Sequence, residues 1–267
     1  IINCDSHDNF DYQDKGGNAD GFADKMGGDA FPGNTYIGCR AWHNSDDGWD
    51  SFQRQTKDTP TVYPFCVTYN NGPAEFDLSA HPRVNGIDRD LPCMEGKDMS
   101  HFPNTGNPNG FKMAGQGKDN KATGNYTRHN TELTNCLAVG HRMKGFDQNN
   151  NAGQMSISHC LAVANDINYG FGNSYAYTLN LYNCISLLPA GGNNNHLKTA
   201  SAGTVHQSHN TWLSGFSVSS DNFESLDESL VTAPRNADGT LASGKPCLLC
   251  RCMLRNAMVA EAVYREP

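Results

Sequence analysis

Four aspartates and one lysine have the residue types and the local setting of a metal site with a base beside it. Each lies within two residues of a glycine that an aromatic residue follows; they are Asp20, Asp46, Asp47, Asp50 and Lys112. Four converging carboxylates repel one another unless a cation is present, and Ca²⁺ takes about six to eight oxygen ligands. A divalent cation beside a lysine lowers its pKa and frees the amine as a base. The pattern predicts a calcium site with a lysine base, provided that the fold brings these residues together.

An internal repeat supplies the means of bringing them together. Six cysteines share a common setting: Cys4, Cys39, Cys66, Cys136, Cys160 and Cys184. The last three are 24 residues apart. In four of these repeats an asparagine follows the cysteine by four or five residues: Asn9, Asn44, Asn70 and Asn165. A further turn of the repeat is expected near residues 208–210.

A glycine followed by an aromatic residue is the second marker of the repeat. It occurs at Gly21, Gly48, Gly110, Gly145 and Gly170. One cysteine and one such glycine per repeat leave a long loop insertion at about residues 72–106. That insertion could wall a cleft or form an exposed loop.

The period of about 24 residues, with short β-prone runs, predicts an all-β chain folded as a right-handed parallel β-helix with one repeat per coil. A leucine-rich repeat has a similar period, but its leucine lattice is missing. The β-helix is expected to span residues 1–220 as the catalytic domain, with a C-terminal tail or capping segment at 221–267. Since the first residues already lie inside the repeat, we expect the N-terminal cap to be missing from this chain.

The recurring cysteines are expected to stack as small buried thiols in the core of the coils, not to form disulfides. Cys247, Cys250 and Cys252 lie close together in the sequence. No partner cluster of histidine or cysteine accompanies them, so a zinc site is not expected there.

Alignment of the coils on the glycine marker predicts which side chains stack. The residues just before the glycine are Asp20, Asp47, Asn109 and Lys144, and those two after it are Ala23, Asp50, Lys112 and Asp147. Neighbouring coils lie about 4.8 Å apart, which places the carboxylates and the lysine within two rungs.

Other interpretations of these residues remain open. The aspartates could be solvated turn formers, as aspartate usually is, and Lys112 could form an ordinary salt bridge with Asp50. Lys144, Asp147 and Arg128 are candidates for substrate binding along the groove, although Lys144 and Asp147 could instead pair with each other.

The bulk composition limits the partners. The chain has 267 residues and a formal net charge of −8, which argues against nucleic acid because phosphates require a basic surface. No apolar run is long enough to span a membrane. A negative protein can hold a polyanionic substrate only through local basic residues or a bridging cation.

Four stretches of the sequence, within a likeness that runs from residue 1 to about 240, resemble polysaccharide lyase family 9, the β-helical pectate lyases. They are residues 18–23, 39–50, 106–115 and 145–150. In that family the aspartates that match Asp20, Asp46, Asp47 and Asp50 bind the catalytic calcium. The lysine that matches Lys112 abstracts the C5 proton of galacturonate, and β-elimination leaves an unsaturated uronate end. The resemblance implies a secreted, periplasmic or cell-surface monomer that acts on pectate (polygalacturonate).

Two rival functions fit the same fold. A uronate C5-epimerase would share the proton abstraction but needs a second acid on the opposite face of the sugar. A non-catalytic carbohydrate-binding or adhesin β-helix would keep the fold, with or without the calcium, while Lys112 did nothing.

Overall fold

The computed structural model describes residues 1–12, 14–25, 32–56, 59–79, 98–113, 128–172, 176–215, 218–223 and 228–241. Its strands are β1 (Asp5–His7), β2 (Phe22–Ala23), β3 (Arg40–Trp42), β4 (Trp49–Asp50), β5 (Thr61–Pro64), β6 (Val67–Tyr69), β7 (Glu75–Phe76), β8 (Phe102–Pro103), β9 (Phe111–Lys112), β10 (Thr131–Thr134), β11 (Leu137–Val139), β12 (Lys144–Asp147), β13 (Gln154–Ser158), β14 (Leu161–Val163), β15 (Ile167–Phe171), β16 (Tyr177–Tyr182), β17 (Ile185–Leu187), β18 (Leu197–Thr199) and β19 (Gly203–Ser208). The helices in this part of the chain are short 3₁₀ turns: Met99–His101, Asn193–Asn195, Ser220–Asn222 and Glu228–Thr232. None of these turns has the length and apolar character that a membrane span requires.

Three parallel sheets form the body of the molecule. Sheet A has the order β1-β3-β6-β11-β14-β17, sheet B has β2-β4-β9-β12-β15-β18, and sheet C has β5-β10-β13-β16-β19. The chain passes from A to B to C and then begins the next coil on top of the last. The predicted all-β solenoid is confirmed, with one repeat per coil.

The corner between sheets C and A is a single residue with a left-handed backbone. This residue precedes the recurring cysteine in six coils and Asn210 in the seventh, and it forms the column Asn3, Gly38, Phe65, Asn135, His159, Asn183 and His209, with φ between 51° and 60°. The conformation is costly for residues other than glycine and asparagine. His209 occupies this column, and the Asn210 side chain accepts a hydrogen bond from the backbone of Cys184 at 2.9 Å. The seventh turn predicted near residues 208–210 is therefore present.

A ladder of buried polar side chains follows sheet A. The Asn9 amide donates to Asn44 Oδ1 at 2.7 Å, and the Asn44 amide donates to Asn71 Oδ1 at 3.0 Å. His141 continues the ladder. Its ring Nδ1 accepts a hydrogen bond from the Asn71 backbone N–H, and its backbone N–H donates to Asn165 Oδ1. The burial of His141 lowers its pKa to about 3, so the ring is neutral. The ladder satisfies backbone N–H groups in the turns between sheets A and B, which have no sheet partners.

Three details of the predicted alignment are wrong. Asn71, not Asn70, is the ladder residue, and Asn70 is a left-handed residue of the turn that follows β6, with φ 42°. Tyr169, not Phe171, continues the aromatic column, because Phe146 pairs with Tyr169 and the turn before it is one residue shorter. All six recurring cysteines are free, and five of them are buried, but Cys4 is exposed.

The insertion that begins near residue 72 packs against the first coil where the structure describes it. β7 and β8 pair antiparallel. Leu78 and Phe102 from the insertion join Tyr12 in a small buried cluster, with Phe10 and Phe76 beside them. The described ends of the insertion are thus a second hydrophobic core next to the coils. Cys247, Cys250 and Cys252 lie outside the described residues.

Residues 218–223 and 228–241 pack along the outer face of sheet A. That face is apolar, and Val231 is buried against it with Leu137, Leu161 and Ile185. The segment is tied to the first coils by charge: Arg40 pairs with Asp5 at 2.7 Å and donates to the carbonyl oxygens of residues 231 and 233. The described parts of the C-terminal tail form a strap over the outer face of sheet A, fastened to its first two strands.

Replacing Arg235 with alanine is expected to loosen the strap and to destabilise the protein by about 2 kcal/mol. Arg235 Nε lies 3.0 and 3.1 Å from the two carboxylate oxygens of Asp5, and its guanidinium also donates to the carbonyl oxygens of Gly38 and Gly239. Arg235→Lys, which keeps the charge but loses the fork, should lose less. Thermal unfolding of the three proteins measures the difference.

The effect of Arg235→Ala should depend on pH. Burial alone raises the pKa of Asp5, but the hydrogen bonds and charges of Arg40 and Arg235 outweigh it and hold the pKa below the ordinary value of 3.8. The pair therefore stabilises the fold above that ordinary pKa, and the stabilisation is lost as the pH falls through the lower folded-state pKa. An unfolding difference that does not shrink in acid would show that Arg235 acts through its backbone contacts alone.

Candidate functional site

A column of inward aromatic rings sets the register of sheet B. Neighbouring rings lie 4.7 to 5.2 Å apart and within 18° of parallel, in the order Phe22, Trp49, Phe111, Phe146 and Tyr169. Side chains alternate along a strand, so the residue after each ring points outward. The outward column reads Ala23, Asp50, Lys112 and Asp147. The stacking predicted from the sequence is confirmed for these positions.

The glycines before the rings are required by the close stacking of the coils. A Cβ on Gly48 would lie 2.7 Å from the carbonyl oxygen of Gly110, and one on Gly110 would lie 2.5 Å from that of Gly145. The backbones of successive coils are therefore in direct contact at the corner between sheets A and B. The aspartates that flank these glycines are drawn together for the same reason.

Asp20, Asp47 and Asp50 form a carboxylate trio. One oxygen from each lies within 4.8 Å of the others. Backbone and amide groups fix two of the carboxylates: Asp47 Oδ1 accepts from the backbone and side-chain nitrogens of Asn109 at 2.7 and 2.8 Å, and Asp50 Oδ1 accepts from the Phe52 backbone at 2.8 Å. The side chains of the trio are at most 3 % exposed. The trio is consequently a rigid group of oxygen atoms that could hold a cation.

Lys112 is directly beside the trio. Its Nζ donates to Asp47 Oδ2 at 2.8 Å and lies 3.3 Å from Asp50 Oδ2. The ammonium also lies 5.9 Å from the centre of the Phe52 ring. The sequence predicted this neighbourhood, and it also left open a salt bridge between Lys112 and Asp50; the structure contains both features.

Lys25 is a second lysine at the trio, and the sequence reasoning missed it. Its Nζ lies 2.8 Å from Asp20 Oδ2 and 2.7 Å from Asp50 Oδ2. The signal was available, since Lys25 is two residues beyond the outward Ala23 and alternation along an extended chain points it to the same side.

Asp46 is placed differently from the other three aspartates. Its Oδ1 accepts from the Asn107 backbone at 2.8 Å, and it is not part of the trio. Burial raises the pKa of Asp46 to about 6. In this structure Asp46 therefore fastens the end of the insertion to the corner, beside the trio.

The charged groups of the site shift one another's pKa values. Burial and the charge of Asp50 raise the pKa of Asp20. Burial by itself lowers the pKa of Lys112, but the attraction of Asp47 and Asp50 outweighs this and raises that pKa above its ordinary value. Lys112 is accordingly an ammonium as long as Asp47 and Asp50 are ionised and are not neutralised by another cation.

The three candidate substrate-binding residues lie in two places. Asp147 is one rung from Lys112 on sheet B and pairs with Lys144, whose Nζ lies 2.7 Å from its Oδ1. That is the pairing left open by the sequence. Arg128 is exposed and lies around the next corner, where its carbonyl oxygen accepts from the Thr56 backbone and its side chain borders a groove with Gly153 and Thr178. None of the residues that line this groove belongs to the trio.

The arrangement has the chemistry of a hard-cation site next to a lysine. Three carboxylates with no sulfur or imidazole donor among them suit Ca²⁺ better than zinc. Asp20, Asp47 and Asp50 are the residues that could hold such an ion, with Asp46 nearby. An amine held at this edge could exchange a proton with a bound molecule.

Comparison with known proteins identifies the fold. Residues 1–195 match a family model described as the Pel9A-like, right-handed β-helix region. Pectate lyase L of Dickeya dadantii is 34 % identical over 243 residues, which are 90 % of this chain and 46 % of that protein. Pectate lyase PEL9 of Emericella nidulans is 28 % identical over 90 % of this chain and 53 % of its own length.

A solved structure agrees on the architecture. A rhamnogalacturonan lyase superposes with a TM-score of 0.67 at 24 % identity, over 90 % of this chain and 55 % of that one. At this identity the likeness concerns the fold alone. The chain spans about half the length of the curated relatives it matches. The match to the family model covers most of the described coils, and the chain belongs to the family of Pel9A-like right-handed β-helices.

Proposed function

We propose that this chain carries the catalytic β-helix of a calcium-dependent pectate lyase, which cleaves polygalacturonate by β-elimination. The observation that carries the proposal is the contact of Lys112 with Asp47 and Asp50, which places an amine at the edge of a rigid carboxylate trio. The relatives from Dickeya dadantii and Emericella nidulans are both named pectate lyases, which supports the same reaction class.

The residues of the chain divide the work. Lys112 is the base that takes the C5 proton of a galacturonate residue, and Asp47 and Asp50 hold its amine at the edge of the site. A bound Ca²⁺ would neutralise the uronate carboxylate and stabilise the negative charge that develops as the proton leaves.

The base needs a free amine, although the carboxylates now favour the ammonium. In the proposed holoprotein Asp20, Asp47 and Asp50 share their charge with the cation, which removes the attraction that raises the pKa of Lys112. Lys112 is then deprotonated more easily, and its amine can accept the proton. We retain Asp46 as a candidate fourth ligand.

The remaining parts of the proposal concern the surroundings of the reaction. The substrate is an acidic polysaccharide, and Lys144, Asp147 and Arg128 are the proposed contacts along it. Because such a polymer does not cross membranes, we infer that the domain acts as a secreted, periplasmic or cell-surface protein. We infer that it acts as a monomer and does not bind nucleic acid, given the net charge of −8.

Incubation of the protein with polygalacturonate, with and without Ca²⁺, tests this function. An unsaturated uronide absorbs in the ultraviolet, and the signal is expected to appear with Ca²⁺ and to disappear with a chelator. Inversion at C5 without cleavage would identify the epimerase. Binding without any product, in the presence of Ca²⁺, would identify a carbohydrate-binding module or adhesin.

A further inference from the structure

Two cationic side chains contact the carboxylate trio in the part of the chain that the structure describes. Lys112 has a place in the proposed mechanism, and Lys25 has none. The Lys25 ammonium bridges carboxylates from two different coils, at 2.8 Å from Asp20 Oδ2 and 2.7 Å from Asp50 Oδ2. Its contacts are therefore with two of the three ligands that the proposed metal ion requires.

An ammonium and a divalent cation compete for these oxygens. Ca²⁺ binds oxygen at about 2.3 to 2.6 Å, and the Lys25 ammonium already contacts one oxygen of Asp20 and one of Asp50. A divalent ion beside an ammonium is also repelled by it. One of the two cations has to leave for the other to be bound well.

The two lysines differ in how readily they can leave. The Lys112 side chain is 13 % exposed and lies against the Phe52 ring, whereas the Lys25 side chain is 34 % exposed. Solvent can take up the Lys25 ammonium at small cost, because it is already partly hydrated. Lys112 would have to leave a buried position that the proposed reaction needs.

We propose that Lys25 is an internal competitor of the metal ion. In the metal-free protein it bridges Asp20 and Asp50 and offsets their repulsion, and it is displaced when the divalent cation binds, so that it weakens the affinity for the ion. This inference rests on the proposed function, which supplies the cation.

Calorimetric titration of Ca²⁺ into chelator-treated wild type, Lys25→Gln, Lys25→Arg and Lys15→Gln tests the proposal. Lys25→Gln is expected to bind Ca²⁺ about tenfold more tightly than the wild type, an effect limited by the partial exposure of the Lys25 side chain. In chelator the same variant should unfold at a lower temperature, because Asp20 and Asp50 lose their shared cation. Lys25→Arg keeps the charge and should bind like the wild type. Lys15 is exposed and in no ion pair of the described residues, so Lys15→Gln is the matched control.

The outcomes separate this inference from the proposed function. Equal or weaker Ca²⁺ binding by Lys25→Gln overturns the competition, as does a wild type and a variant that both fail to bind Ca²⁺. If the wild type cleaves polygalacturonate without binding Ca²⁺, the competition is wrong but the lyase activity stands. Tighter binding by Lys25→Gln in a protein that cleaves nothing supports the competition and rejects the lyase.

Discussion

Replacement of Lys112 by arginine is expected to lower the rate of polygalacturonate cleavage by about 10² to 10⁴, the usual contribution of a general base. Arginine keeps a positive charge and can donate to Asp47 and Asp50, but it does not lose its proton in proteins. The variant should therefore keep its fold and its ionic contacts while losing the ability to accept the C5 proton. The initial rate of ultraviolet absorbance increase, at saturating substrate and Ca²⁺, measures the loss.

Lys144→Arg is the matched control, because Lys144 lies one coil further along sheet B and pairs with Asp147 instead of the trio. The control should lose much less rate than Lys112→Arg. Rates that remain within a few-fold of the wild type in Lys112→Arg, with Ca²⁺ affinity unchanged, would remove Lys112 from the chemistry. The pH dependence adds a second readout. Because a neutral amine is the active form, the rate should rise with pH in the wild type and lose that dependence in the variant.

Much of the site could be predicted because the repeat converts sequence spacing into spatial position. Once one aromatic ring per coil is known to face inward, the next residue has to face outward, and Asp50 and Lys112 become neighbours one rung apart. The same argument brings Asp20 to Asp47, since Gly21 donates its N–H to the carbonyl oxygen of Asp47. Local chemistry contributed little here; the stacking of coils did the positioning.

The parts that could not be predicted depend on turns whose length varies between coils. The turn before Tyr169 is one residue shorter than the turn before Phe146. Gly170 therefore pairs with Asp147, in the outward column, and was wrongly aligned with Gly145. Asn70 and Asn71 are adjacent asparagines, and composition does not show which one enters the ladder and which one adopts a positive φ. The return of residues 228–241 to the first coil depends on tertiary contacts between Arg235 and Asp5, which are far apart in sequence.

The position of Asp46 shows a related limit. In the sequence Asp46 and Asp47 are equivalent members of one acidic turn, and both were predicted to be calcium ligands. In the structure Asp47 Oδ2 faces Lys112, whereas Asp46 Oδ1 accepts from the Asn107 backbone. Adjacent residues in a tight corner point to different sides, and only the coordinates show which side faces the trio.

Replacement of Asp47 by asparagine should have the largest effect on the site as a whole. Asn109 donates two hydrogen bonds to Asp47 Oδ1, and Lys112 donates one to Oδ2. Asparagine keeps the shape and one acceptor but removes the charge from a fully buried position. The ammonium of Lys112 then depends on Asp50 at 3.3 Å. Because breaking a buried pair leaves an incompletely compensated charge, the metal-free variant should be destabilised by about 2 to 3 kcal/mol.

The same substitution should weaken Ca²⁺ binding by at least about a hundredfold, since removal of even an outer-shell partner of a bound metal costs 10- to 100-fold. Asp46→Asn is the matched comparison, because it removes a neighbouring buried carboxylate that lies outside the trio. If the trio alone holds the ion, Asp46→Asn should reduce the Ca²⁺ affinity only a few-fold. Equal losses in the two variants would instead mean that the cation draws Asp46 into a four-carboxylate site. Calorimetric Ca²⁺ titration of both proteins decides between these geometries, because an affinity loss shared by both variants means that both carboxylates bind the metal. Chemical unfolding isolates the lysine contact, because a stability loss confined to Asp47→Asn comes from the lost pairing with Lys112.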